Sequence, residues 1–143
     1  MNPIKILLVL GFVAPQALGC SDIARSVRPY TYPPEFRYIT REELRSSMQQ
    51  LAFHVHQLHY LMRSNETMPQ DRGEIIEHLR GMEQSAESLD HSGWPTNHPL
   101  IGMNLPNFRR DIKFARESLE REPPNYLIAN TLTGACVYCH GGR

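Results

Sequence analysis

Near the C-terminus Cys136, Val137, Tyr138, Cys139 and His140 stand in succession, two thiols three positions apart with an imidazole directly after the second. This is the C-x-x-C-H arrangement for covalent attachment of a c-type haem. Wound into one turn of helix, it brings both sulfurs to one side, where they can form thioethers with the two vinyl groups of a porphyrin. His140, four residues after Cys136, projects from that same face and can bind the iron from beneath. The competing readings are a zinc half-site, a disulfide or a chance pentapeptide. Zinc takes about four N or S ligands, and the only other cysteine, Cys20, lies toward the opposite terminus. A thioredoxin-type pair belongs at a helix N-terminus within a βαβ unit, and no segment of this sequence reads as strand. The expected cofactor is therefore one covalent haem c with its iron, in a chain that leaves the cytoplasm.

Export is legible at the other end. Lys5 is followed by an apolar run from Ile6 to Val13, too short to cross a bilayer, which needs about 20 residues, and residues 1–19 read as a signal peptide. Ala17, Leu18, Gly19 and Cys20 resemble a bacterial lipobox, in which the new N-terminal cysteine receives lipid. Ordinary signal peptidase would cut the same bond. Cysteine arithmetic favours the lipid, because Cys20 would otherwise be a lone thiol in an oxidising compartment. The expectation is a chain on the periplasmic side of a bacterial envelope, anchored to a membrane through lipid on Cys20.

The whole chain has 143 residues and equal numbers of basic and acidic side chains, 15 of each. Losing Lys5 with the signal leaves about minus one, which excludes a nucleic-acid footprint and strong attraction to acidic surfaces. Residues 20–39 carry Pro29, Pro33 and Pro34 among the aromatics Tyr30, Tyr32, Phe36 and Tyr38. Proline forbids a regular helix there. This stretch reads as a lipid-anchored or extended tether whose distal half packs down, with a strap over a haem edge as the sharper alternative.

Residues 40–143 must supply the scaffold, enough for one core. Thr40 with Glu43 forms a capping box, and Leu44, Met48, Leu51, Val55, Leu58 and Met62 recur at steps of four and three, predicting a helix over about 41–63. A second helix, capped by Asn65 or Thr67 with Pro69 in its first turn, carries Ile75, Leu79, Met82, Ala86 and Leu89 to near Asp90. After a long loop containing His91, Trp94 and His98, Asn104 and Pro106 open a third, with Leu105, Phe108, Ile112, Ala115 and Leu119. Pro123 and Pro124 end it and start a fourth, striped by Ile128, Leu132, Ala135 and Cys139. The fold class expected is all-α, an antiparallel up-down-up-down four-helix bundle with the haem at the C-terminal end of the fourth helix.

That order puts the end of the fourth helix beside the start of the first and nominates Met48 as the distal iron ligand. His54, His56 and His59 lie about 9, 12 and 16 Å farther along the axis and off the seam, so His54 and His56 are expected to face solvent. The bland role for Met48 is core filling, which methionine does well. Arg41 and Arg45 begin the same helix, where Arg45 is a candidate contact for a haem propionate; a solvated first turn is the plain alternative. Trp94 and His98 receive no role, and Tyr138 points away from the porphyrin or along its rim.

The C-terminal Gly134-Ala135-Cys136-Val137-Tyr138-Cys139-His140, the pair Arg45 and Met48 early in the first helix, and the four-helix layout together resemble the class II c-type cytochromes, the group of the cytochromes c′ and their low-spin relatives. The resemblance covers residues 40–143. It implies a monohaem protein in which Cys136, Cys139 and His140 hold the haem and Met48, as in the low-spin members, is the axial methionine. It also makes a homodimer an assembly to test. Class II proteins have an arginine four residues after the haem histidine; here Arg143 stands at three. The function expected is one-electron transfer with His/Met ligation to redox partner proteins, not enzymatic turnover. The alternative is a five-coordinate, cytochrome c′-like haem that binds nitric oxide or carbon monoxide. A peroxidase-type haem would need distal acid–base groups, and the histidines lie at the wrong depth for that.

Overall fold

The computed structural model describes residues 27, 31–33, 35–64, 71–90 and 93–141. The chain divides into two compact units, Met1–Tyr32 and Pro33–Arg143, and the fold described here is that of the second. The signal segment, Cys20, the caps assigned to Asn65 and Thr67, Pro69, His91 and Arg143 lie outside the described residues.

The second unit is all-α, with α1 at Arg41–Ser64, α2 at Arg72–Glu87, α3 at Pro99–Glu120, α4 at Leu127–Leu132 and α5 at Val137–His140. Helix α1 starts where its capping box dictates: the Thr40 N–H donates to Glu43 Oε2 at 2.8 Å and the Glu43 N–H to Thr40 Oγ1 at 3.1 Å. Two otherwise orphaned donors are thereby satisfied, worth about 1 kcal/mol. The predicted seam packs inward, with Leu51 and Leu58 buried and Leu44, Met48, Val55 and Met62 partly so; Leu61, off that seam, is buried as well.

α1 packs on α2, α2 on α3, α3 on α4, and α4 returns to α1, while α5 rests on α3. Leu58, Ile75, Leu79, Met82, Ile112 and Leu119 fill the interior. Arg116 Nε bridges both carboxylate oxygens of Glu83 at 3.0 and 3.1 Å, tying α3 to α2. The half-buried Arg37–Ile39 stretch lies along the loop before α3. The Arg37 N–H donates to the Pro95 carbonyl. Asn97 clamps Ile39 from both sides, accepting from its N–H at 2.8 Å and donating to its carbonyl at 2.9 Å.

Three boundaries differ from the sequence expectation. α2 ends at Glu87, and the Ser88 and Leu89 N–H groups close the final turn. α3 begins at Pro99, not at Asn104, and runs through Pro106. Proline at the first helical position loses no hydrogen bond, and burying Ile101 and Leu105 in phase with Phe108 and Ile112 outweighs the bond that Pro106 removes. The fourth helix is not continuous. Between α4 and α5 the Thr133, Gly134, Ala135 and Val137 N–H groups reach back three residues instead of four, the tighter 3₁₀ pattern. Two β-branched threonines and a glycine, all poor helix formers, occupy that junction at Thr131, Thr133 and Gly134.

Candidate functional site

The junction determines where the tail's reactive side chains go. After it the chain recovers one α-helical turn, in which the His140 N–H donates to the Cys136 carbonyl at 3.0 Å. Cys136 and His140 therefore share a face, with Cys139 beside them. Across from this face, α1 and α3 diverge enough to leave a cavity of about 150 Å³. Its α1 wall is Met48, Leu51, Ala52 and Val55, its α3 wall Ile101, Leu105 and Phe108, and its third wall Ala135, Cys136, Cys139 and His140. The four residues nominated for iron and thioether chemistry thus line one space, and every other lining residue is apolar.

Cys136 is exposed and Cys139 half-buried, and both are free thiols. Burial, and after it the neighbouring Cys136, push the Cys139 thiol upward, away from thiolate. Met48 is half-buried and packs against the core. Ala52 escaped the sequence reading because it is off the apolar seam, although its signal was present: it lies four residues after Met48 on the same face, and its small side chain widens the cavity there.

The histidine exclusion stands on a different footing from depth. The cavity reaches Val55, about 10 Å along α1 from Met48, so His54 lies within its axial range and His56 just beyond it. Facing excludes them: His56 and His59 are exposed, and His54 turns toward α2. The expectation of a solvent-facing His54 is corrected, since it is half-buried with its Nδ1 3.1 Å from His78 Nδ1. Arg41 and Arg45 are exposed on the first turns of α1, outside the cavity wall.

A wider cleft of about 420 Å³ lies on the other side of Ile101 and Leu105, beneath Trp94. Its only ionisable lining side chain is Asp90, which pairs with Arg109; it offers no nucleophile and no ligand set. Among the described residues no group of three or more His, Cys, Asp or Glu side chains is gathered, and no helix is long and apolar enough to cross a membrane. Comparison with models of known protein families, with curated proteins and with solved structures finds no match for this chain.

Proposed function

We propose that this chain is an exported monohaem c-type cytochrome of the class II kind, a one-electron carrier in which His140 and Met48 are the iron ligands. The observation that carries the reading is that Met48, Cys136, Cys139 and His140 line one apolar cavity. The cyclic packing order of α1 to α4 supports an antiparallel up-down-up-down bundle around it. When bound, haem supplies a one-electron iron couple.

The chain's own residues divide the work. Cys136 and Cys139 hold the porphyrin edge through sulfur, and His140 binds the metal from the tail. Met48 offers a thioether from α1, a ligand that favours the reduced form and raises the potential. Leu51, Val55, Leu105 and Phe108 keep water away, and a low local dielectric disfavours added charge at the metal. The cavity is narrower than the roughly 300–1,000 Å³ typical of pockets for organic ligands. Loading therefore requires a wall to shift, and α5 is the wall with the least packing behind it. The lipid on Cys20 keeps the carrier beside membrane-bound redox partners.

The test is the absorption spectrum of the ferrous protein with and without carbon monoxide. A sharp low-spin α-band that the gas does not move is expected. A spectrum that shifts strongly on adding gas assigns the protein to the gas-binding alternative. Colourless exported protein with no haem mass on the peptide carrying Cys136 and Cys139 overturns both.

A further inference from the structure

His54 in α1 and His78 in α2 face each other across the helix pair, Nδ1 to Nδ1 at 3.1 Å, with ring centroids 5.4 Å apart. The sequence gives neither a reason to meet, and the haem reading uses neither. The contact is built in by Gly81. A Cβ at that position would stand 2.3 Å from the His54 ring, so any larger residue there would push the imidazole aside. Glycine in a helix interior costs roughly 0.5–1 kcal/mol relative to alanine, and α2 accepts that cost where the ring sits. Phe53 lies edge-on to both imidazoles and flanks the pair.

We infer that His54 and His78 form a two-histidine site for a divalent transition cation, Cu(II) above all, separate from the haem. Each imidazole turns the same ring nitrogen, Nδ1, toward the other. A cation about 2.0–2.1 Å from each nitrogen subtends about 95–102° at their 3.1 Å separation, between the tetragonal and tetrahedral values. The angle admits Cu(II), Ni(II) and Zn(II), and the affinity order for nitrogen ligands selects Cu(II). Each ring has to turn so that its lone pair meets the metal instead of the other ring. The exposed Phe53 is free to give way.

The outer nitrogen of His78 has a carboxylate nearby. Nε2 lies 3.9 Å from Glu74 Oε1, one turn earlier on α2. At that distance the two are not hydrogen-bonded; a rotation of the Glu74 side chain would give the carboxylate–imidazole arrangement found behind metal-bound histidines. Two protein nitrogens leave the remaining coordination positions to water. On binding, each imidazole contributes a lone pair and releases any proton carried on that nitrogen to solvent; no redox step is involved.

The experiment is calorimetric titration of Cu(II) into the full-length protein, with His54→Gln, His78→Gln and the double variant His56→Ala/His59→Ala alongside. The wild type and the His56/His59 variant should take up one tight equivalent, which both glutamine variants lose, and Cu(II) should raise the wild-type Tm by cross-linking α1 to α2. Failure of the wild type to bind, or an unchanged tight equivalent in both glutamine variants, overturns the site. Should those variants unfold, paramagnetic broadening in the wild type decides: the His54 and His78 ring signals and the Gly81 amide should broaden first. Broadening that starts at the exposed His56 overturns it. The haem spectrum reads a different set of residues, so either proposal can fail alone.

Discussion

Replacing Met48 separates a ligand from a core side chain, provided that two replacements are compared. Met48 is partly buried and packs against the core from α1. Truncating a fully buried methionine to alanine costs about 2–5 kcal/mol; with most of the residue buried, Met48→Ala should cost about 1.5–4 kcal/mol. Met48→Leu preserves volume and should cost less than about 1.5 kcal/mol, yet it removes the sulfur as completely. If Met48 ligates iron, both variants lose the low-spin ferrous band and both bind carbon monoxide, although their stabilities differ. The assay pairs urea unfolding by circular dichroism with the ferrous spectrum under gas. Haem content should not change, because Cys136 and Cys139 carry the covalent bonds. A Met48→Leu protein that keeps a gas-insensitive low-spin spectrum refutes the ligation and leaves Met48 as packing alone.

Asn97→Ala should cost about 1–3 kcal/mol, since it removes two hydrogen bonds of about 0.5–1.5 kcal/mol each from the backbone of Ile39, itself 1% exposed. It should appear as a lower urea midpoint with unchanged slope. Gly93 and Gly73 predict opposite signs for the same substitution. Neither has an atom within 4 Å of an added Cβ, but Gly93 has φ +83°, so Gly93→Ala should lose about 1–2 kcal/mol while Gly73→Ala gains about 0.5–1 kcal/mol in the same unfolding assay. Burial first, and then the charge of His78, hold His54 below the usual imidazole range. The unfolded chain therefore binds more protons, and stability present above about pH 6.5 falls as pH drops below it. With chelator present, His54→Gln should lose that slope; an identical pH profile would contradict it.

How far the sequence carried depended on whether a feature was local. The start of α1 was legible because Thr40 and Glu43 cap each other within four residues, and the C-x-x-C-H turn because its geometry is internal to it. The start of α3 was misread because Pro106 was weighed as a helix opener, whereas the stripe of Ile101, Leu105, Phe108 and Ile112 runs straight through it. Burial along a face outweighed one missing hydrogen bond. The break after α4 was written in Thr131, Thr133 and Gly134, but the apolar stripe of Ile128, Leu132, Ala135 and Cys139 ran across it and concealed it. His54 was not legible at all. Its placement depends on Gly81 in another helix, and a gap in one helix has meaning only once its partner's register is known.

The break in the tail also borders the proposed haem site. After the tighter turn at 133–136, α5 rests on α3, and Cys136, Cys139 and His140 line the cavity that Met48 and Val55 border from α1. What remains behind α5 is light: Val137 is 63% exposed, and four residues bury little apolar surface. The fully buried aliphatics Leu58, Ile75, Leu79, Ile112 and Leu119 lie among α1, α2 and α3. A side chain shifted in α5 therefore costs far less than one shifted in that interior, where each buried aliphatic is worth about 1.5–3 kcal/mol. In the proposed haem site the residues that would bond to the porphyrin sit on the lightly packed α5, while Met48, the proposed opposing ligand, sits on α1, the longest of the described helices, and packs against the core.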